Sequence, residues 1–242
     1  MTESVDIKKI KAKARKSLTG KYFDVVVAIL IYGLLCFMSV ATAKFIKEPP
    51  MMIFLNLIIT SLFYMGLLQI MIKIARNKKP SFNELFQRTD AFFRCAAITI
   101  VFLAINVICA LLEYTAFNSL IVFISYQTDL NIALSSFMIV IGIILSAAII
   151  VFWVVLMLCL SQSYFILYDN EDMPLGDIFR LSMDMMDGHK TDYIILCLSF
   201  VGWVFLGIFT LGILYLWLIP YVFVSMANFY DKIKKDVKIL DA

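Results

Sequence analysis

The sequence predicts an all-α fold: a polytopic transmembrane helical bundle of six spans with amphipathic helices at its cytoplasmic surface. Three observations carry that prediction. The chain is 62% hydrophobic and only 16% charged, with a mean hydropathy of +0.92, whereas soluble domains average about 45–50% apolar and about 25% charged residues. Several apolar runs reach roughly 20 residues, the length that crosses about 30 Å of hydrocarbon. Finally, of the 21 Lys and Arg residues only Lys44 and Lys47 fall on the side opposite the rest. Cationic residues concentrate in cytoplasmic loops, so both termini are placed in the cytoplasm of a cell-membrane protein.

Taken in order, residues 1–21 read as a basic cytoplasmic helix. Ile7, Ile10, Ala14 and Leu18 share one helical face. Lys8, Lys9, Lys11, Lys13, Arg15 and Lys16 cover the remainder, which points to contact with anionic lipids of the inner leaflet, worth about 1 kcal/mol per cation. Residues 22–230 form the membrane domain, with spans at about 22–43, 51–75, 92–112, 135–168, 193–209 and 212–230; 231–242 is a cytoplasmic tail. No small-residue cleavage pattern follows the first apolar run, so it reads as a retained span and not a signal peptide. The fourth span is too long for a simple crossing: it either tilts or projects from the membrane at its cytoplasmic end. Thr210-Leu211-Gly212 separates the last two spans, which predicts a tight hairpin packed through Gly202, Gly207 and Gly212. The outer connection 113–134 carries no Lys or Arg and reads as an interfacial or partly re-entrant segment.

Two further cytoplasmic helices are expected. Ser81-Phe82-Asn83-Glu84 has the form of a capping box, and Pro174 suits the first position of a helix with Leu175, Ile178, Phe179 and Met186 on its apolar side. All three helices are expected at the inner membrane surface or against the cytoplasmic ends of the spans. They also share a pattern. Counting from Ile7, Phe82 and Leu175, an apolar residue recurs at +3, a small one at +7 and an apolar one at +11, while Gly20, Cys95 and Gly188 stand at +13. Gln69 and Gln162 each precede an acidic residue of the second and third copies by 15 positions. The pattern predicts a unit of surface helix, span out and span back, repeated three times.

In the last third, Asp187-Gly188-His189-Lys190 precedes an apolar run that contains Leu198-Ser199-Phe200 and Gly202-Trp203, and Leu211-Gly212-Ile213, Trp217, Pro220-Tyr221 and Phe229-Tyr230 follow. These residues resemble the bacterial membrane family labelled "domain of unknown function 975", found mostly in Gram-positive organisms. Leu18-Thr19-Gly20 and Pro80-Ser81-Phe82 are similar to that family as well. The resemblance implies a six-span integral membrane protein of the bacterial cell membrane and supplies no catalytic residues. One departure is Tyr193, the aromatic of Thr191-Asp192-Tyr193, which stands where the family has an aromatic shortly after Gly-His-Lys.

The chemistry-bearing residues point away from catalysis. His189, the single histidine, cannot build a histidine-based metal site alone. Gly188, His189 and Lys190 read as a surface motif, a turn in which His189 and Lys190 meet lipid head groups. The acidic run Asp169, Glu171, Asp172, Asp177, Asp184 and Asp187 lacks a calcium-loop spacing and reads as solvated helix starts. Glu113 is placed at the outer end of span three, which leaves no carboxylate at mid-membrane, where a proton-coupled carrier would keep one. Gln69, Gln162 and Asn106 are the candidate polar residues within the spans, suited to helix-to-helix hydrogen bonds or to a polar path. The five cysteines have no metal or disulfide spacing, and no phosphate-loop, dinucleotide-binding or hydrolase motif is present. The expectation is therefore a non-enzymatic membrane component without cofactor or nucleic-acid partner, which interacts with the bilayer, a protein partner or further copies of itself. The alternative is a transporter or export subunit for a lipid-like or peptide substrate, tied to antimicrobial-peptide resistance.

Overall fold

The computed structural model describes residues 5–41, 49–79, 92–125 and 132–236 of the chain, and every regular element among them is helical. The helices are α1 (Ile7–Leu18), α2 (Tyr22–Ala41), α3 (Pro49–Ala75), α4 (Phe92–Ser125), α5 (Ile132–Leu160), α6 (Ser163–Asp169), α7 (Leu175–Met186), α8 (Lys190–Phe209) and α9 (Tyr215–Asp236). Three helical stretches, Phe93–Asn118, Ser136–Asp169 and Lys190–Phe209, are long and apolar enough to cross a membrane, and a fourth is reached if the bent pair α1–α2 counts as one. The chain divides into two compact units, one of residues 1–99 with 160–242 and one of residues 100–159.

In the first unit, α1 opens at Asp6, whose carboxylate accepts the Lys9 amide at 3.1 Å and so caps one of the helix's free N–H groups. That bond, to a donor left unpaired by the helix start, holds the Asp6 carboxyl below its ordinary range. Ile10, Ala14, Ser17 and Leu18 are buried, because this face packs on α9, α3 and α8. α1 thus packs against other helices through its apolar face. Its axis stands at 92° to α2.

A tight turn makes that angle. Thr19 (φ −57°, ψ 125°) and Gly20 (φ 78°), closed by the Lys21 amide on the Leu18 carbonyl at 2.9 Å, form a type II turn. The same turn follows α7: Asp187 (φ −69°, ψ 128°), Gly188 (φ 78°), and the His189 amide on the Met186 carbonyl at 3.2 Å. Type II geometry needs a left-handed residue at its third position, which glycine supplies without a Cβ penalty. Ile10 and Ile178, Ala14 and Ser182, and Leu18 and Met186 are buried in pairs at matching offsets. The first and third copies of the sequence pattern thus share helix length, buried face and turn. The second copy departs at +13, where Cys95 lies inside α4 and not at a left-handed turn. Its expected capping box and surface helix, 81–91, lie outside the described residues.

The long fourth apolar stretch is interrupted at Ser161–Gln162, between α5 and α6. A run of polar and aromatic contacts binds α6 to its neighbours. Tyr164 Oη is 3.1 Å from Thr99 Oγ1, Ser61 Oγ is 3.3 Å from that same atom, and the Tyr64 and Tyr164 rings meet edge to face at 4.9 Å. Arg94 donates to the carbonyls of Glu171 and Met173, tying the start of α4 to the loop that leads into α7.

The expected hairpin is present between α8 and α9, but only part of its expected packing is. α8 ends with Leu211 in the left-handed region (φ 51°), the Gly212 amide on the Gly207 carbonyl at 3.0 Å and the Leu211 amide on the Ile208 carbonyl at 3.1 Å, a Schellman closure. Tyr215 then folds back over Gly207 and donates its hydroxyl to the Val204 carbonyl at 2.9 Å. Gly212 (φ 88°) serves the turn, and Gly202 has open space where a Cβ would stand, so it mediates no close approach.

In the second unit, α4 does not stop near Leu112. It runs on to Ser125, which makes most of the expected outer connection helical, and 126–131 lie outside the described residues. Glu113 accordingly lies within the apolar stretch Phe93–Asn118, near its C-terminal end.

Candidate functional site

The densest polar constellation of the first unit lies where α3, α6 and α9 end. Arg76 follows the last residue of α3, Asp169 closes α6, and Tyr230, Asp231 and Lys234 lie in the final turns of α9. Arg76 takes its position from a Schellman closure like that of α8: Asn77 is left-handed (φ 58°), with the Asn77 amide on Ile74 and the Lys78 amide on Lys73. Asparagine is the residue most tolerant of that conformation after glycine.

The Arg76 guanidinium is shared between two carboxylates. Its Nη1 and Nη2 donate to Asp169 Oδ1 and Oδ2 at 2.8 and 2.9 Å. Its Nη2 and Nε donate to Asp231 Oδ1 at 2.7 and 3.2 Å. Asp169 Oδ2 also accepts from Tyr230 Oη at 3.1 Å and from Lys234 Nζ at 2.6 Å. Two positive and two negative charges therefore close on one another, with the Asp169 side chain only 8% exposed. The Asp169 hydrogen bonds, with Asp231 beside them, hold the Arg76 proton more firmly than water does, against the opposing effect of burial. Planar, bidentate recognition of this kind is what arginine supplies and lysine does not. The node fastens three helix ends.

The predicted surface residues separate. Lys8, Lys9, Lys13, Arg15 and Lys16 are exposed, while Lys11 turns inward. Lys11 Nζ donates to Ser199 Oγ at 3.0 Å and to the Ser199 carbonyl at 3.2 Å, and it lies 4.4 Å from the Phe200 ring centroid. Burial, with Arg15 nearby, lowers its ammonium pKa. His189 is 1% exposed, with Nδ1 3.7 Å from Asp192 Oδ2. It is buried beneath the type II turn at Gly188 and not exposed. Gly188 makes that turn as expected, and Lys190 is half-buried, 3.9 Å from Asp187.

Gln69 and Gln162 are both buried. The Gln162 amide nitrogen donates to Ser161 Oγ at 2.8 Å, and its backbone N–H meets Ser182 Oγ at 3.3 Å. The Oε1 atoms of both glutamines accept no hydrogen bond among the described residues, and neither amide atom of buried Asn228 finds a partner there. Asn106 stands in the second unit. Its Nδ2 donates to the Phe102 carbonyl at 2.7 Å and its Oδ1 accepts from Trp153 Nε1 at 3.2 Å.

With these positions fixed, the family follows. A family model described as "Protein of unknown function (DUF975)" matches residues 1–237. The chain belongs to this family. No curated protein and no solved structure matches it. In this DUF975 chain the Arg76 node joins residues that no sequence pattern connects: Arg76 sits in a basic loop, Asp169 begins an acidic run and Asp231 heads the tail. The one local signal is the dipeptide Tyr-Asp, which closes an apolar stretch at both 168–169 and 230–231. Among the described residues of the DUF975 chain, no three His, Cys, Asp or Glu side chains gather as a metal-binding group. The node's donors and acceptors are spent on each other, an arrangement that holds the three helix ends together.

Proposed function

We propose that this DUF975 protein is a six-span integral membrane protein with both termini in the cytoplasm, and that it works by contact with anionic lipid head groups and not by covalent chemistry. The observation that carries this is the division of α1. Its apolar face is held by α3, α8 and α9, its axis stands at 92° to α2, and five cations, Lys8, Lys9, Lys13, Arg15 and Lys16, are exposed along it. A helix perpendicular to a span lies in the plane of the membrane surface, where each cation adds about 1 kcal/mol of attraction to an anionic leaflet. The apolar residues exposed along α8, among them Leu198, Phe205 and Phe209, suit a lipid-facing wall. The count of six adds α3, 27 residues long, and the uncharged part of α9, Tyr215 to Tyr230, to the apolar stretches of α2, α4, α5 and α8.

The test is lipid retention. Protein in nanodiscs of mixed phosphatidylglycerol and phosphatidylcholine is released into the gas phase and its bound lipids are identified by mass spectrometry. Wild-type protein is expected to retain phosphatidylglycerol preferentially, and glutamine at all five exposed cations is expected to abolish the preference. Equal retention by both forms would refute the lipid-contact reading.

A second reading, passage of a lipid-like substrate, is favoured by the buried polar atoms of Gln69, Gln162 and Asn228 that have no hydrogen-bond partner among the described residues. Such atoms cost about 1–3 kcal/mol each unless something satisfies them. Movement of a fluorescent phospholipid across proteoliposomes, lost on Gln69→Leu with Gln162→Leu, would support it. No movement, or movement that the substitutions leave unchanged, would remove it.

A further inference from the structure

The second unit holds a groove that the lipid-contact reading does not use. It is open, has a volume of about 200 Å³, runs along α4 and α5 and is formed by residues of that unit alone, with Cys109 buried at its floor and Asn106 and Ile150 exposed at its sides. Glu113, Cys109 and Asn106 contribute from α4, spaced at four and seven residues on one helical face; Ile149, Ile150 and Trp153 contribute from α5. Glu113 Oε2 is sealed from solvent and accepts no hydrogen bond from any described residue. A carboxylate inside an apolar stretch is costly and is kept there when something completes it.

We infer that this groove binds an organic ammonium ion bearing a short apolar chain. The lining sets that choice. Glu113 supplies the single negative charge and an open acceptor. Asn106 is held by its bonds to Phe102 and Trp153, and its Oδ1, which accepts from Trp153 Nε1, has one further lone pair for a second donor. Trp153 lines the same groove, and an indole attracts a cation that lies over its ring. Ile149 and Ile150 offer the apolar wall along which an alkyl chain lies. An inorganic cation would need more oxygens than this wall provides, since calcium takes 6–8 and magnesium about six. A neutral lipid chain would leave the Glu113 oxygen as it stands. The inference rests on residues apart from the α1 cations, so either reading can fail without the other.

The experiment uses the full chain in nanodiscs, with Trp203→Phe and Trp217→Phe leaving Trp153 as the one indole, and with hexylammonium as the probe. Trp153 emission is expected to change saturably with hexylammonium and not with hexanol, which has the same chain and no charge. Glu113→Gln, nearly isosteric, is expected to weaken binding at least about tenfold. A second measurement on the wild-type chain needs no folded variant. Dicyclohexylcarbodiimide adds to a carboxyl group and rearranges to a stable N-acylurea with no leaving group, so the modified peptide gains the whole reagent mass. Modification of Glu113 that hexylammonium suppresses supports the site. Equal responses to hexanol and hexylammonium, saturation that survives Glu113→Gln, or Glu113 modification indifferent to hexylammonium would each overturn it.

Discussion

Arg76 and Asp169 form a two-point ion pair across 93 residues of sequence, with Nη1 to Oδ1 at 2.8 Å and Nη2 to Oδ2 at 2.9 Å. The pair joins the end of α3 to the end of α6, and Asp231 on the same guanidinium brings in α9. Asp169→Asn leaves the Arg76 and Lys234 charges facing an amide in a largely enclosed space. Breaking a buried pair from one side costs about 3–5 kcal/mol, and the partial exposure of Arg76 reduces that to about 2–3. Arg76→Lys keeps the charge but cannot span two carboxylates, and a loss of about 1–2 kcal/mol is expected. Thermal unfolding in mild detergent checks both, with Asp169→Asn expected to melt at the lower temperature.

The Gly20 turn gives a separate prediction. A Cβ at Gly20 meets nothing within 4 Å, so Gly20→Ala tests backbone conformation alone. A left-handed alanine costs about 1–2 kcal/mol. Gly20→Asn is expected to cost less, because asparagine tolerates the left-handed region. A melting series of Gly, Asn and Ala in that descending order is the expected result.

Gly207 is constrained for a different reason. An added Cβ would stand 2.5 Å from Tyr215 Cε1, so Gly207→Ala must displace the ring and break its hydroxyl bond to Val204. A cost of about 1–3 kcal/mol is expected for such overpacking. Tyr215→Ala should remove most of that increment when the two are combined. Melting temperatures of the two single variants and the double variant check the coupling.

Much of the helical layout was legible because apolar runs and glycines announce themselves locally. Gly20 and Gly188 stood at matching positions in the sequence, and type II turns explain why glycine occupies both. The boundary errors share one cause. A charged residue at 113 reads as the end of an apolar run, yet the helix continues through it to Ser125, and the side chain lines the groove along α4 and α5. His189 misleads in the same way. Flanked by Asp187 and Lys190, it reads as exposed, but the turn that precedes it points the imidazole inward. The Arg76 node was invisible for another reason: it is made by three helix ends distant in sequence, and no periodicity encodes such a meeting.

Whether α8 separates the two faces of a membrane is the most direct test of the proposed topology. Leu211, 94% exposed at the α8–α9 turn, and exposed Lys16 on α1 are suitable probes. Each is replaced singly by cysteine in a chain whose five native cysteines are serine, and intact cells are treated with a membrane-impermeant maleimide. Leu211→Cys is expected to label in intact cells and Lys16→Cys only after permeabilisation. Labelling of both in intact cells, or of neither until permeabilisation, would contradict a span between them with α1 in the cytoplasm.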